Sequence, residues 1–139
     1  MKHWKALSSS VDEYLEEMYR CELCGESITT KGLAARLKVS MPSVSEMLPK
    51  LRKMGFVSHR SRGTTELTGR GRMLGRKVYD KHETIKRFLL SIGLAEASAT
   101  KEACRLEHGI NDGTLKRLRA FLNKPVCPRC AALSKGVYS

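Results

Sequence analysis

The chain has 139 residues, 41% of them apolar and 29% charged, with a formal net charge of +12. That composition excludes a disordered chain, and the length allows one domain, or two small ones sharing a core. No run of about 18 uncharged apolar residues exists, which excludes a membrane-spanning helix.

The start, Met1-Lys2-His3-Trp4-Lys5, has no apolar stretch behind it and does not read as a secretion signal. Five cysteines without such a signal point to thiols or metal ligands in the cytoplasm, not to disulfides. The charge is unevenly placed. Residues 1–28 carry three Lys/Arg against six Asp/Glu, residues 29–90 fifteen against four, and residues 91–139 eight against four. A basic middle of this kind is the electrostatic footprint of a module that binds a polyanion.

In chain order, Ser10 offers an N-cap with Glu13 three residues on, and a helix over 11–23 aligns Val11, Leu15, Met18 and Tyr19. Glu13, Glu16 and Glu17 crowd its first turns, where the helix dipole alone would favour carboxylates. Residues 29–55 read as a helix-turn-helix. Thr30 is the expected cap of a short helix with Leu33, Ala34 and Leu37 inward, and Val39-Ser40-Met41 makes the turn. Pro42 opens the next helix, where its missing N–H does no harm. Val44, Met47, Leu48 and Leu51 give that helix its inner face, leaving Ser40, Ser43, Ser45, Glu46, Lys50 and Lys53 outward. Short hydroxyls near a helix start with lysines further along suit a major groove flanked by phosphates. Pro49, inside the same helix, is expected to kink or shorten it.

Phe56–Arg60 and Thr64–Leu67 flank Ser61-Arg62-Gly63 as a β-hairpin. Directly after a helix-turn-helix this is a wing, with Arg60 and Arg62 placed for phosphate or the minor groove. Thr68 caps a long helix to about Ile92, with Leu74, Val78, Ile85, Leu89 and Ile92 on one stripe and Arg70, Arg72, Arg76 and Lys77 near the wing. His82 falls inside that stripe, a position more typical of a buried core histidine than of a ligand. A helix from Ala95 to His108 follows, and Asn111-Asp112 caps a last one through Leu115, Leu118, Phe121 and Leu122, stopped by Pro125.

The helix ending at His108 contains Cys104-Arg105-Leu106-Glu107-His108. On a helix, Cys104, Glu107 and His108 stand at i, i+3 and i+4 on one face, where a thiolate, a carboxylate and an imidazole form half of a transition-metal site. The same spacing also suits a surface helix with an ordinary salt-bridging glutamate. Cys21-x-x-Cys24 and Cys127-Pro128-x-Cys130 each resemble half of a zinc knuckle, and the four thiols could hold a structural Zn²⁺ if the chain ends meet. Reduced, unligated thiols fit as well.

The order of parts (acidic first helix, winged helix-turn-helix, long helix with His, and Cys-x-x-Glu-His helix) resembles the diphtheria-toxin-repressor family, the iron- and manganese-dependent repressors. The likeness runs over 11–122. It is strongest in Asp12-Glu13-Tyr14-Leu15-Glu16-Glu17-Met18-Tyr19, Val39-Ser40-Met41-Pro42-Ser43-Val44-Ser45, Leu67-Thr68-Gly69-Arg70-Gly71 and Glu102-Ala103-Cys104-Arg105-Leu106-Glu107-His108. The resemblance implies a mainly α fold, with a winged helix-turn-helix DNA-binding domain over 1–72 and a helical metal-binding and dimerisation domain over 73–139. It implies metal ligands Glu13, Glu16, His82, Cys104, Glu107 and His108, and DNA contacts from Ser40, Pro42, Ser43, Ser45, Glu46, Lys50, Lys53, Arg60 and Arg62. The corepressor is expected to be Fe²⁺ or Mn²⁺, the partners a palindromic double-stranded operator and a second copy of the chain, and the output repression of metal-uptake genes.

Two departures from the family shape the metal expectation. Carboxylates at Glu13 and Glu16 follow the manganese branch, whereas Cys104 follows the iron branch. A thiolate favours softer metals than Mn²⁺ and the carboxylates favour Mn²⁺ or Fe²⁺, so Fe²⁺ meets both halves. Lys86 and Thr100 replace the ancillary-site ligands of the iron branch, and the length leaves no room for the SH3-like third domain of longer members. The rival expectations are a metal-independent winged-helix regulator and a zinc-stabilised structural or interaction protein. A hydrolytic enzyme is not expected, because the sequence shows no spare acid/base pair.

Overall fold

The computed structural model describes residues 9–60 and 62–124. Among these residues the order is α1 (Ser9–Leu23), β1 (Ile28–Thr29), α2 (Thr30–Leu37), α3 (Met41–Lys53), β2 (Val57–Arg60), β3 (Thr64–Leu67), α4 (Gly69–Ser91), α5 (Glu96–Leu106) and α6 (Asp112–Leu122). The fold is mainly α: a winged helix-turn-helix followed by a helical unit. The two compact units divide inside α4, between Asp80 and Lys81.

In the first unit, Leu15 and Met18 of α1, Leu33 of α2, Val44 and Leu51 of α3 and Phe56 form a fully buried centre. Each helix contributes its expected apolar stripe, and burial of such side chains is worth about 1.5–3 kcal/mol apiece. Ser10 lies within α1, which already includes Ser9, so it is not the N-cap. The cap of α2 falls one residue before the expected Thr30. Thr29 has extended backbone angles, and its hydroxyl accepts from Gly32 N at 3.0 Å. Ser40 caps α3, accepting from Ser43 N at 3.3 Å, so the helix starts at Met41 and Pro42 takes its second position. Pro49 does not break α3, which continues to Lys53. Both Pro49 and Ser45, whose carbonyl loses a partner, are exposed, so water can replace the missing bond.

The wing is a β2–β3 hairpin with Val57 opposite Leu67 and Arg60 opposite Thr64. Arg62 and Gly63 turn it with φ of 64° and 72°. The sheet has a third member absent from the sequence reading: β1 pairs antiparallel with β3, giving the order β1-β3-β2. Thr68 joins wing and helix as expected. Its hydroxyl donates to Gly55 O at 2.6 Å and accepts from Gly71 N at 3.1 Å. Thr68→Ala is expected to lower the stability of this unit by about 1–2 kcal/mol, read from urea denaturation.

The start of α4 lies close against its neighbours. A Cβ at Gly71 would overlap Phe56 O, and one at Gly75 would sit 2.5 Å from Leu15 O. Three of the arginines placed near the wing, although exposed, have partners within the unit. Arg70 lies over the Phe56 ring at 5.1 Å, Arg72 donates two hydrogen bonds to Glu22 at 2.7 and 2.9 Å, and Arg76 pairs with Asp80 at 3.7 Å.

In the second unit, Ile85 and Leu89 of α4 pack with Ala99 and Ala103 of α5 and Leu115 of α6. The alanines, both fully buried, let helices approach closely. Asn111 caps α6, its side chain accepting from Thr114 N at 2.8 Å. Ile92 lies beyond the end of α4 and Phe121 is on α6, and both are exposed instead of joining the core stripes. Among the described residues, no helix is long and apolar enough to cross a membrane.

Candidate metal centre and nucleic-acid interface

The α5 motif departs from its expected shape. The helix ends at Leu106, not His108, but Glu107 keeps helical angles (φ −57°, ψ −33°) and its N–H donates to Ala103 O at 3.0 Å. The extra helical residue preserves the direction of the Glu107 side chain. It is buried, and Glu107 Oε2 accepts from His82 Nδ1 of α4 at 2.8 Å. His82 is 1% exposed, the most buried charged or polar side chain among the described residues. Cys104 Sγ lies 3.7 Å from the same ring nitrogen, and His108 Nε2 lies 3.4 Å from Glu107 Oε1.

The second unit thus brings four of the six expected ligands to one place. Its donor set is two imidazoles, a carboxylate and a thiol, the last offered from an exposed residue. Burying an imidazole and a carboxylate is costly unless each is satisfied, and this pair satisfies one bond of each. Nitrogen, oxygen and sulfur donors are the kinds a divalent transition metal takes, and here they are linked pairwise through His82 and Glu107.

The other two expected ligands belong to the first unit. Glu16 is buried on α1, with Arg20 Nη2 donating to its Oε1 at 2.6 Å. The sequence reading missed this partner, although the i, i+4 spacing of Glu16 and Arg20 was a visible signal. Glu13, one turn earlier, is exposed. It lines a shallow groove of about 290 Å³ with Tyr14 of α1 and Ser43, Glu46, Met47 and Lys50 of α3.

The cysteine pair Cys21-x-x-Cys24 splits between environments. Cys21 lies in the core, where burial pushes its thiol pKa up, while Cys24 is exposed. Cys127 and Cys130 lie outside the described residues. In the native chain iodoacetamide is expected to label Cys24 readily and Cys21 only on unfolding, as read by peptide mass mapping.

The expected DNA-contacting residues all belong to the first unit. Ser40, Pro42, Ser43, Ser45, Glu46, Lys50, Lys53, Arg60 and Arg62 are all exposed. Ser40 and Ser43 also bond each other at 2.8 Å, and Arg60 keeps a loose ion pair with Glu66 at 3.9 Å. Lys50, Arg52 and Lys53 occupy the last turn of α3, where cations also complement the helix dipole.

Two family models match the chain in succession. Residues 6–64 match the family described as iron dependent repressor, N-terminal DNA binding domain, and residues 68–131 match iron dependent repressor, metal binding and dimerisation domain. An uncharacterised HTH-type transcriptional regulator of Methanocaldococcus jannaschii is 38% identical over 120 residues, covering 85% of this chain and 96% of that one. The transcriptional regulator MntR of Escherichia coli is 34% identical over 92 residues, covering 66% of this chain and 59% of that one. The solved structure of the manganese regulator SloR superposes with a TM-score of 0.73 at 35% identity, covering 85% of this chain and 56% of SloR. The chain therefore spans nearly all of the archaeal relative and little more than half of the other two. It belongs to the family of the diphtheria-toxin repressor and the manganese-transport regulators. That is a family of metal-dependent transcriptional regulators, not of enzymes.

Proposed function

We propose that this chain is a transcriptional repressor that senses Fe²⁺ or Mn²⁺ and shuts off metal-uptake genes. The observation that carries the reading is the buried His82–Glu107 pair at 2.8 Å, with Cys104 and His108 beside it. In this reading residues 1–72 bind DNA and residues 73–139 bind metal and form the dimer. His82, Cys104, Glu107 and His108 hold the cation with Glu13 and Glu16 of α1. A bound divalent cation supplies positive charge and a fixed coordination geometry. The family description names iron and SloR is a manganese regulator; the thiol of Cys104 together with the carboxylates favours Fe²⁺.

The residues themselves supply the coupling. Ligands drawn from α1, α4 and α5 tie the DNA-binding part to the dimerisation part only when all engage one ion. Two recognition helices in a dimer read a palindrome when their half-sites lie about one helical turn apart, roughly 34 Å. Metal then favours the DNA-competent conformation through its tighter binding to that state. The apolar surface over 85–110, including exposed Leu90, Ile92 and Leu106, forms the contact between copies.

The test is anaerobic retention of a duplex from the gene's own upstream region, with Fe²⁺, Mn²⁺ or Zn²⁺ at fixed ionic strength. Wild type is expected to bind only with metal, and His108→Ala to weaken that binding by more than about 10-fold. Equal retention with and without metal in both proteins would overturn the reading in favour of a metal-independent winged-helix regulator.

A further inference from the structure

We propose that Glu46 is the base-reading residue of this regulator and that it selects cytosine at one position of each operator half-site. This inference rests on the DNA-binding function proposed above. Helix α3 buries Val44, Leu48 and Leu51. Diametrically opposite, at i, i+4, i+7 and i+11, stand Pro42, Glu46, Pro49 and Lys53, all exposed. Glu46 therefore occupies the middle of the face that enters a groove, flanked one turn away on each side by proline rings that carry no charge and donate no N–H.

A carboxylate at that place is unfavourable beside phosphates unless a base offers it a donor. Two other acids of the basic middle segment, Glu66 and Asp80, have arginine partners, Arg60 at 3.9 Å and Arg76 at 3.7 Å. Glu46, by contrast, makes no hydrogen bond or ion pair among the described residues. Its carboxylate can only accept. In the major groove guanine presents two acceptors, thymine an acceptor and a methyl, and adenine an amino group beside an acceptor. Cytosine alone presents an N4 amino donor with no acceptor on the same base edge. The carboxylate is thus matched to cytosine and repelled by guanine.

The test is selection of bound duplexes from a randomised pool, with the activating metal at fixed salt, for wild type, Glu46→Gln and Glu46→Ala. Exposure of Glu46 means all three are expected to fold with the same helix content. Wild type should enrich a palindrome with cytosine at one position per half-site, preferred there by about 10-fold or more. Glu46→Gln should move that single position toward adenine, which a glutamine amide pairs through N6 and N7, and Glu46→Ala should lose the preference there alone. An operator enriched identically by wild type and Glu46→Ala would overturn the assignment while leaving the repressor function standing. A wild type that enriches no sequence with any metal would overturn that function and the assignment with it.

Discussion

Gly71→Ala is expected to destabilise the winged-helix unit by about 3 kcal/mol, at the upper end of overpacking costs, and to shift its urea midpoint accordingly. The added methyl would overlap the carbonyl oxygen of Phe56. That backbone has little freedom to yield, because Phe56 N donates to Leu51 O and Phe56 O accepts from Thr68 N, each at 3.0 Å. The Phe56 side chain is itself 2% exposed in the core. Relief would require α4 to lift from the wing and break the Thr68 junction. Gly69→Ala is the control: no atom lies within 4 Å of its added methyl, and stability should change by no more than about 0.5 kcal/mol. Equal stability of Gly71→Ala and Gly69→Ala would show that the helix does not approach Phe56 this closely.

The second large effect is expected at Glu107. Glu107→Ala should abolish metal-dependent DNA retention and lower the stability of the helical unit by about 1–3 kcal/mol, because the buried His82 Nδ1 loses its carboxylate acceptor. The side chains concerned are 1% and 3% exposed, so solvent screens the loss little. Glu107→Gln separates the two consequences. Its amide oxygen can still accept from His82 Nδ1, so most of the stability should remain. It brings no negative charge to a divalent cation, so the metal response should be lost. Denaturation followed by urea and metal-dependent fluorescence anisotropy of a labelled duplex measure the two readouts. Retention of a full metal response in Glu107→Gln would remove Glu107 from the ligand set.

How much of this was legible beforehand depended on how local the determinants are. The inner faces of α1 and α3 and the cap at Thr68 follow from residues within one or two turns, and the sequence places them well. Strand β1 does not: two residues, Ile28 and Thr29, become a strand only through pairing with Thr64 and Thr65, far along the chain. The same pairing extends the backbone of Thr29 and so moves the α2 cap from Thr30. The end of α5 at Leu106 was also hidden, because the Cys104–His108 spacing fits a continuing helix; only the loss of the next backbone bonds ends it. Within the candidate site, spacing alone grouped Cys104, Glu107 and His108. His82 needed the family resemblance, since an imidazole in an apolar stripe has an ordinary core explanation.

The short strand β1 has a consequence for solubility. A bare β-hairpin presents two open edges, each able to template another chain. Here β1 covers the inner flank of the hairpin, leaving β2 as the outer flank. That flank ends in the exposed side chains of His59 and Arg60, polar groups that discourage a second strand from adding to it. The hairpin therefore carries its own guard against sheet-to-sheet aggregation.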